Sequence, residues 1–300
     1  MHPKNTQSAG ALLKSERWYA ALFLLPALLG FVLFHAWPML KAMQMSFYEW
    51  NLLQAPKLIY FDNYSRLLSD ERFWNGMKLS ALYVLLNIPV QIGLGLFVAV
   101  AMDRVTRSLW VKTVVVMPYL LSNVLVAMMW LWLLDPFLGW VNEMITLLGF
   151  ERQAFFGAEA QALATVAGVN IWRHVGLVSL LFLAGLQNIP KTLYQAASLE
   201  GAGEWQLFRH ITLPLLRPVM VFVLVTSVTG SFQIFDTIAV TTKGGPLDST
   251  NVIVHAIVQS AFSFYQMGYA SAMAVVLTLC MFAYTLLQMK IMRASESDLA

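Results

Sequence analysis

Long apolar runs alternate with shorter polar segments along the whole chain, and each run extends for about 20 residues. A helix of that length crosses the hydrocarbon core of a membrane, which is about 30 Å thick, so each run predicts one membrane-spanning helix. The pattern predicts six spans. They are residues 18–40, 79–102, 113–134, 163–186, 218–240 and 269–289.

Two segments depart from this simple pattern. The fourth span holds Arg173 and His174 in its interior. We still interpret it as spanning, because an arginine within a membrane needs only to face protein or water. Residues 252–264 are uncharged but follow a Gly-Gly-Pro turn, and a seventh span would leave no loop before Tyr269. They predict an interfacial or re-entrant helix.

Composition agrees with an all-α polytopic membrane protein. Hydrophobic residues make up 59% of the chain and charged residues 12%, against about a quarter charged in soluble proteins. A net charge of +3 on 300 residues is too small to indicate a nucleic-acid partner, so membrane lipid is the expected surrounding. The single cysteine, Cys280, lies in an apolar run and is interpreted as a small hydrophobic side chain.

The distribution of basic residues predicts the orientation. The segments 104–112 and 187–217 and both tails are basic, which places the amino and carboxyl termini in the cytoplasm. The predicted organisation is a tail at 1–17, a transmembrane domain at 18–292 and a tail at 293–300. Residues 41–78 disagree, since they hold five basic and four acidic residues on the external side; the length of this segment weakens the rule there.

The loop between the fourth and fifth spans carries its own structure. Its first part is small and helix-prone, it breaks at Gly201 and Gly203, and an amphipathic stretch follows that Pro214 and Pro218 deflect into the fifth span. This pattern predicts a helix, a turn and a second helix. The small alanine faces allow another surface to approach closely, so the loop is expected to dock a partner.

This loop resembles the EAA loop of permease subunits of binding-protein-dependent ABC importers. Gln195 stands where the family has its first glutamate, and Glu200 where an aspartate is usual. The family pattern is matched at Ala196, Ala197, Gly201, Ala202, Phe208, Ile211, Pro214 and Pro218. Further segments are similar to the sugar, oligosaccharide and glycerol-phosphate importers, namely 61–64, 171–173, 183–190, 235–236 and 242–250.

The resemblance implies a type I ABC importer permease fold in the inner membrane of a bacterial or archaeal cell. It implies that a sugar, oligosaccharide or polyol is imported by alternating access, with glycerol phosphate as the alternative solute. The implied partners are a second homologous permease, two ATPase subunits on the cytoplasmic loop 187–217 and an extracytoplasmic solute-binding protein. The chain would be no enzyme and hold no cofactor, with ATP and Mg on the ATPases. In agreement, it lacks a G-x-x-x-x-G-K-[ST] phosphate loop.

Polar and aromatic side chains within the spans are candidates for the solute path. They are Asn87, Gln91, Asn123, Asn170, Trp172 and Arg173. Hydrogen bonding between helices explains the amides equally well, and a structural pairing explains Arg173 equally well. Asp236, near the outer end of the fifth span, is interpreted as a solvated carboxylate in preference to a solute ligand. The histidines show no metal-ligand spacing, so no metal site is expected.

Two other function classes remain open at this stage. An ion-coupled secondary carrier would need an acidic residue in the middle of a span, and none lies there. An intramembrane enzyme would need converging His, Asp, Glu or Cys residues, whereas the histidines lie on different segments. The amides and the single internal arginine instead favour a neutral or singly charged, polyol-like solute.

Overall fold

The computed structural model describes residues 22–105 and 108–291. The predicted tails at 1–17 and 293–300 lie outside the described residues, as do residues 18–21. The helices, in chain order, are α1 (Leu22–Met45), α2 (Asp62–Ser69), α3 (Glu71–Val105), α4 (Leu109–Leu120), α5 (Asn123–Leu133), α6 (Trp140–Leu147), α7 (Glu159–Gln187), α8 (Lys191–Leu199), α9 (Glu204–Leu207), α10 (Arg217–Phe232), α11 (Asp236–Thr241), α12 (Ile253–Ser263) and α13 (Met267–Ile291).

Apolar helices cover each of the predicted spans. Within the described residues, five helical segments are long and apolar enough to cross a membrane, and a sixth exists if α4 and α5 together form one span. The fold class of an all-α membrane protein with five to six apolar helical spans is therefore confirmed. The small departure is a hairpin of two-residue strands, β1 (Tyr48–Glu49) and β2 (Lys57–Leu58), paired antiparallel.

The third predicted span is corrected by the structure. In place of one helix over 113–134, α4 and α5 meet at a bend of 92°, where Leu121 and Ser122 are extended. Pro118 lies in the last turn of α4 and has no N–H to donate, which weakens the helix just before the break. The fourth span, by contrast, is the continuous helix α7 despite its charged residue.

The chain divides into two units. The first comprises the described residues up to Leu68 together with Ser260–Val275. There the side chain of Asn63 donates to the carbonyl oxygens of Ser46 at 2.8 Å and Tyr48 at 3.0 Å. The hydroxyls of Ser46 and Tyr64 lie 2.6 Å apart. These bonds fasten the start of α2 to the turn that follows α1.

The second unit comprises Ser69–Gln259 and the described residues from Val276 onwards. Helices α3 and α7 pack along each other, α4 packs on α7, and α10 packs on α3. Gly176 of α7 permits the approach of α4, because a Cβ atom there would lie 2.0 Å from the carbonyl oxygen of Val115. Small residues allow such backbone contact in membrane bundles. The apolar core of this unit includes the fully buried Val166 and Phe182.

Candidate functional site

A polar cavity of about 300 Å³ lies within the second unit. Its walls come from α3, α4, α5, α7 and α10 and from the segment that joins α10 to α11. The polar side chains that line it include Gln91, Asn123, Asn170, His174, Ser227 and Asp236. Amide and hydroxyl groups of this kind exchange hydrogen bonds with polar solutes. The cavity is therefore the candidate solute site of this chain.

Three of the six predicted path residues line the cavity, namely Gln91, Asn123 and Asn170. Asn87 lies fully buried behind the wall, where its amide donates to the hydroxyl of Ser231 at 2.9 Å. Trp172 packs edge-on against Trp130, with ring centroids 5.5 Å apart, beside the apolar core. Neither of these two lines the cavity.

Arg173 is the third predicted residue that does not line the cavity. It donates hydrogen bonds at the break between α4 and α5. Its guanidinium donates to the carbonyl oxygen of Leu121 at 3.0 Å and to that of Tyr119 at 3.2 Å. These carbonyl groups lie at the carboxyl end of α4, where a helix leaves acceptors without internal partners and where a cation is favourable. The guanidinium also lies over the Tyr119 ring, 5.2 Å from its centroid. The contacts of Arg173 are thus with the protein.

The hydrogen bonds of His174 define its charge state. Its Nδ1 lies 3.0 Å from the carbonyl oxygen of Asn170, which can only accept, so Nδ1 carries the proton. Its Nε2 lies 3.1 Å from the guanidinium of Arg173, which can only donate. Nε2 therefore accepts, and the ring that faces the cavity is the neutral imidazole.

Asp236 differs from its sequence interpretation as a solvated carboxylate. It is half-buried at the start of α11, lines the cavity, and accepts a hydrogen bond of 2.8 Å from the amide of Asn123.

Tyr83 is a second residue that sequence reasoning missed. It is fully buried, lines the cavity, and its hydroxyl has no hydrogen-bond partner among the described residues. The resemblance of residues 235–236 was the available signal for Asp236; Tyr83 resembles any aromatic residue of a span.

The loop 187–217 forms a helix, a turn and a second helix. Helix α8 ends in a Schellman motif, in which Ala202 N–H donates to Ala197 O at 3.0 Å and Gly201 N–H donates to Ser198 O at 3.1 Å. Gly201 has φ of +86°, a conformation that favours glycine. After the short α9 the chain continues through Phe208–Thr212 and Leu213–Leu215 into α10.

The predicted coupling positions of this loop, Gln195 and Glu200 included, divide into an exposed and a half-buried set. Gln195, Ala196, Glu200, Gly201 and Pro214 are exposed, as is Pro218 at the start of α10, whereas Ala197, Ala202, Phe208 and Ile211 are half-buried. Two large apolar side chains beside them are also exposed, Leu199 at 91% and Trp205 at 68%. An exposed surface of small and large apolar residues is typical of a protein interaction site.

Two contacts connect α8 and α9 with the segments next to them. The guanidinium of Arg104, at the end of α3, pairs with the carboxylate of Glu204 at 2.6 Å. The hydroxyl of Tyr194 in α8 lies 2.9 Å from that of Thr212, just before α10. A displacement of α8 and α9 would therefore act on both α3 and α10.

Comparison with known proteins identifies the family. A sequence profile of the binding-protein-dependent transport system inner membrane component family matches residues 91–294. The probable ABC transporter permease protein YesP of Bacillus subtilis (strain 168) is 34% identical, over 89% of this chain and 88% of its own length. The sulfoquinovosyl glycerol transport system permease protein SmoG of Agrobacterium fabrum is 31% identical, over 94% of this chain and 92% of its own length.

A solved structure gives the same architecture. A chain of a bacterial ABC transporter involved in the import of the acidic polysaccharide alginate superposes with a TM-score of 0.82, covering 94% of this chain and 98% of its own, at 24% identity. At this identity the likeness is one of fold. The profile match and the relatives show that the chain belongs to the family of binding-protein-dependent transport system inner membrane components and is an ABC importer permease subunit.

Proposed function

We propose that the chain forms one half of the path for a sugar, oligosaccharide or polyol, and that the polar cavity takes part in this path. The amides of Gln91, Asn123 and Asn170, which line one cavity, carry this proposal. The name of the relative that transports sulfoquinovosyl glycerol supports a sugar-containing solute. The alternative solute class is a glycerol phosphate.

The same proposal assigns the energy source to other chains. A second homologous permease completes the path, two ATPase subunits bind ATP and Mg, and an extracytoplasmic binding protein delivers the solute. The family description supports the binding protein. This chain then holds no cofactor and catalyses no reaction. Both termini lie in the cytoplasm, on the side of the loop 187–217 and the ATPases.

Coupling is proposed to run through the loop 187–217. The exposed surface around Ala196 and Gly201 meets the ATPase, and closure of the ATPases displaces α8. The Arg104–Glu204 pair and the Tyr194–Thr212 contact carry this displacement to α3 and α10, which line the polar cavity. The proposal thus links nucleotide-driven closure to alternating access through named contacts.

The coupling role is tested by adding bulk to the loop. We expect Ala197→Trp to reduce co-purification of the ATPase and its solute-stimulated hydrolysis, while the chain stays in the membrane. Ala160→Trp is the matched control, because Ala160 is an exposed alanine on α7 outside the loop. Unchanged ATPase binding and stimulation in the Ala197 variant would place the docking surface elsewhere.

The solute path is tested in the complete transporter with its binding protein. We expect Gln91→Ala and Asn170→Ala each to lower uptake of the solute that stimulates the ATPase by about fivefold, the equivalent of one hydrogen bond of about 1 kcal/mol. Gln54→Ala, in the hairpin loop of the first unit, is the control. Uptake at the control level in both cavity variants would remove the cavity from the path.

A further inference from the structure

Asp236 gives the polar cavity a definite electrostatic sign. Among the described residues that line the cavity, it is the one with a formally charged side chain. The imidazole of His174 is neutral by its hydrogen bonds. The carboxylate accepts one hydrogen bond from Asn123, which orients it without neutralising it. A solute that enters therefore meets a negative charge.

The cation of this region, Arg173, lies outside the cavity lining. Arg173 interacts electrostatically with Asp236, but its guanidinium donates to the carbonyl oxygens of Tyr119 and Leu121 and does not line the cavity. The donors of Arg173 are engaged by the broken end of α4. Among the described residues no lysine or arginine lines the cavity, so an anionic group inside it would meet Asp236 directly.

The hydrogen-bonding groups of the cavity call for a solute that both donates and accepts. Asp236 is an acceptor only, and Asn123 satisfies just part of its capacity. The buried hydroxyl of Tyr83 has no partner among the described residues, and such a group is costly to bury alone. A solute hydroxyl can donate to Asp236 and still accept a hydrogen bond, whereas a phosphate, sulfonate or carboxylate oxygen can only accept.

We propose that Asp236, oriented by Asn123, is a specificity-determining residue that makes this cavity select uncharged polyhydroxyl solutes and reject anionic ones. The inference rests on the proposed function, because it assumes that the solute passes through the cavity. It deepens that function by excluding the glycerol-phosphate class. Like charges at short range inside a protein repel more strongly than in water, which is the physical basis of this discrimination.

The sign of the cavity can be measured without knowing the solute. Cys280, the single cysteine, is replaced by alanine, and Gly230→Cys introduces a thiol in the cavity wall, where a Cβ atom meets no neighbour within 4 Å. The complete transporter is treated with the cationic trimethylammonium-ethyl and the anionic sulfonato-ethyl methanethiosulfonates. Each rate is divided by the rate of that reagent with free cysteine.

We expect the cationic reagent to react faster after this normalisation, and Asp236→Asn to lower the ratio of the two rates by at least about threefold. Asp236→Ser, which retains an acceptor for Asn123, should act in the same direction if the asparagine variant does not assemble. Glu143→Gln is the control, because it removes an acidic charge outside the cavity and should leave the ratio unchanged.

An equal or faster reaction with the anionic reagent, no reaction with either, or a ratio indifferent to the Asp236 substitutions would overturn the inference. Uptake by the Cys280→Ala transporter is measured in parallel. If that transporter imports a sugar while the ratio fails to respond, the proposed function stands and the role of Asp236 falls. If thiol modification at residue 230 leaves uptake unchanged, the path itself lies elsewhere.

Discussion

The segment formed by α4 and α5 carries no charged side chain between Thr113 and Leu134, whereas helix α7 carries Arg173 in its interior. The uncharged segment is bent by 92°, and the charged helix is continuous for 29 residues. The two features are complementary: one segment has unpaired hydrogen-bond acceptors, and the other has a charged donor. The broken end of α4 leaves carbonyl groups without helical donors, and Arg173 donates to two of them.

This comparison teaches how irregular backbone is accommodated within a membrane protein. A broken helix is stable at membrane depth only where its free backbone groups are satisfied by protein or face a water-filled cavity. Here α7 provides the donors, and the polar cavity lies beside the break. The charge in α7 therefore marks the position of a break in its neighbour.

The largest expected effect concerns whether α4 and α5 cross the membrane together. We expect a reporter fused at Gly157 to lie outside and one fused at Glu200 to lie in the cytoplasm, because a bent pair that crosses as one span keeps six spans in all. Alkaline phosphatase and fluorescent-protein fusions measure the two sides. If α4 and α5 instead entered the membrane and returned to the same side, both reporters would report the opposite sides. Of the two segments compared, only α7 would then span the membrane.

The next effect tests the close contact of α4 with α7. Gly176→Ala places a Cβ atom 2.0 Å from the Val115 carbonyl oxygen, so the backbones must separate, at a cost of about 3 kcal/mol in the free energy of unfolding. Gly168→Ala is the matched control on the same helix, because nothing lies within 4 Å of its Cβ position. Thermal unfolding of the purified complex measures both. Equal midpoints for the two variants would contradict the packing argument.

Removal of the Arg173 side chain breaks the hydrogen bonds between α7 and the end of α4 and is expected to have a smaller effect. We expect Arg173→Ala to lower the free energy of unfolding by about 2 kcal/mol, since it leaves the Tyr119 and Leu121 carbonyl groups without their donor. Arg173→Lys should restore part of this, because lysine keeps the charge without the planar fork.

Arg152 provides a matched comparison for Arg173. It also donates to two backbone carbonyl groups, at Pro136 and Phe137, but is exposed in the segment between α6 and α7. Arg152→Ala should therefore cost about 0.5 kcal/mol or less. If Arg173→Ala cost no more than Arg152→Ala but abolished uptake, its role would lie in the solute path and not in the break.

The sequence predicts the positions of the apolar helices well because length and hydropathy suffice to locate a span. The Schellman turn at Gly201 is likewise local, and its signal is a glycine after a helix-prone segment. The break after α4 lacks a decisive local signal. Pro118 precedes it, yet Pro89 lies within the continuous helix α3. Whether a proline ends a helix in a membrane depends on neighbours that satisfy the backbone.

The polar cavity is only partly predictable for the same reason. Intramembrane amides are conspicuous in an apolar run, so Gln91, Asn123 and Asn170 are found as candidates. The pairing of Asn123 with Asp236 joins residues 113 positions apart. No periodicity encodes a contact between such distant positions. Arg173 is conspicuous too, but only the structure reveals that its partners are backbone carbonyl groups, which have no signature in the sequence.

The smallest expected effect concerns Asp135, directly beyond α5 on the broken segment. Its carboxylate accepts hydrogen bonds of 2.8 Å from the backbone N–H groups of Leu138 and Phe137. The Leu138 bond, with that of Phe137, lowers the pKa of Asp135 below its ordinary value. Because the folded pKa is lowered, this contribution to stability is present above the ordinary pKa and is lost as the pH falls through the folded pKa. We expect a carboxyl ¹³C titration of Asp135 to give a pKa below the ordinary value. We expect the Asp135→Asn variant to unfold at the same midpoint as the parent protein only in acid, where the carboxyl group of the parent is protonated. A carboxyl that titrates at or above its ordinary pKa would show that the turn after α5 is open.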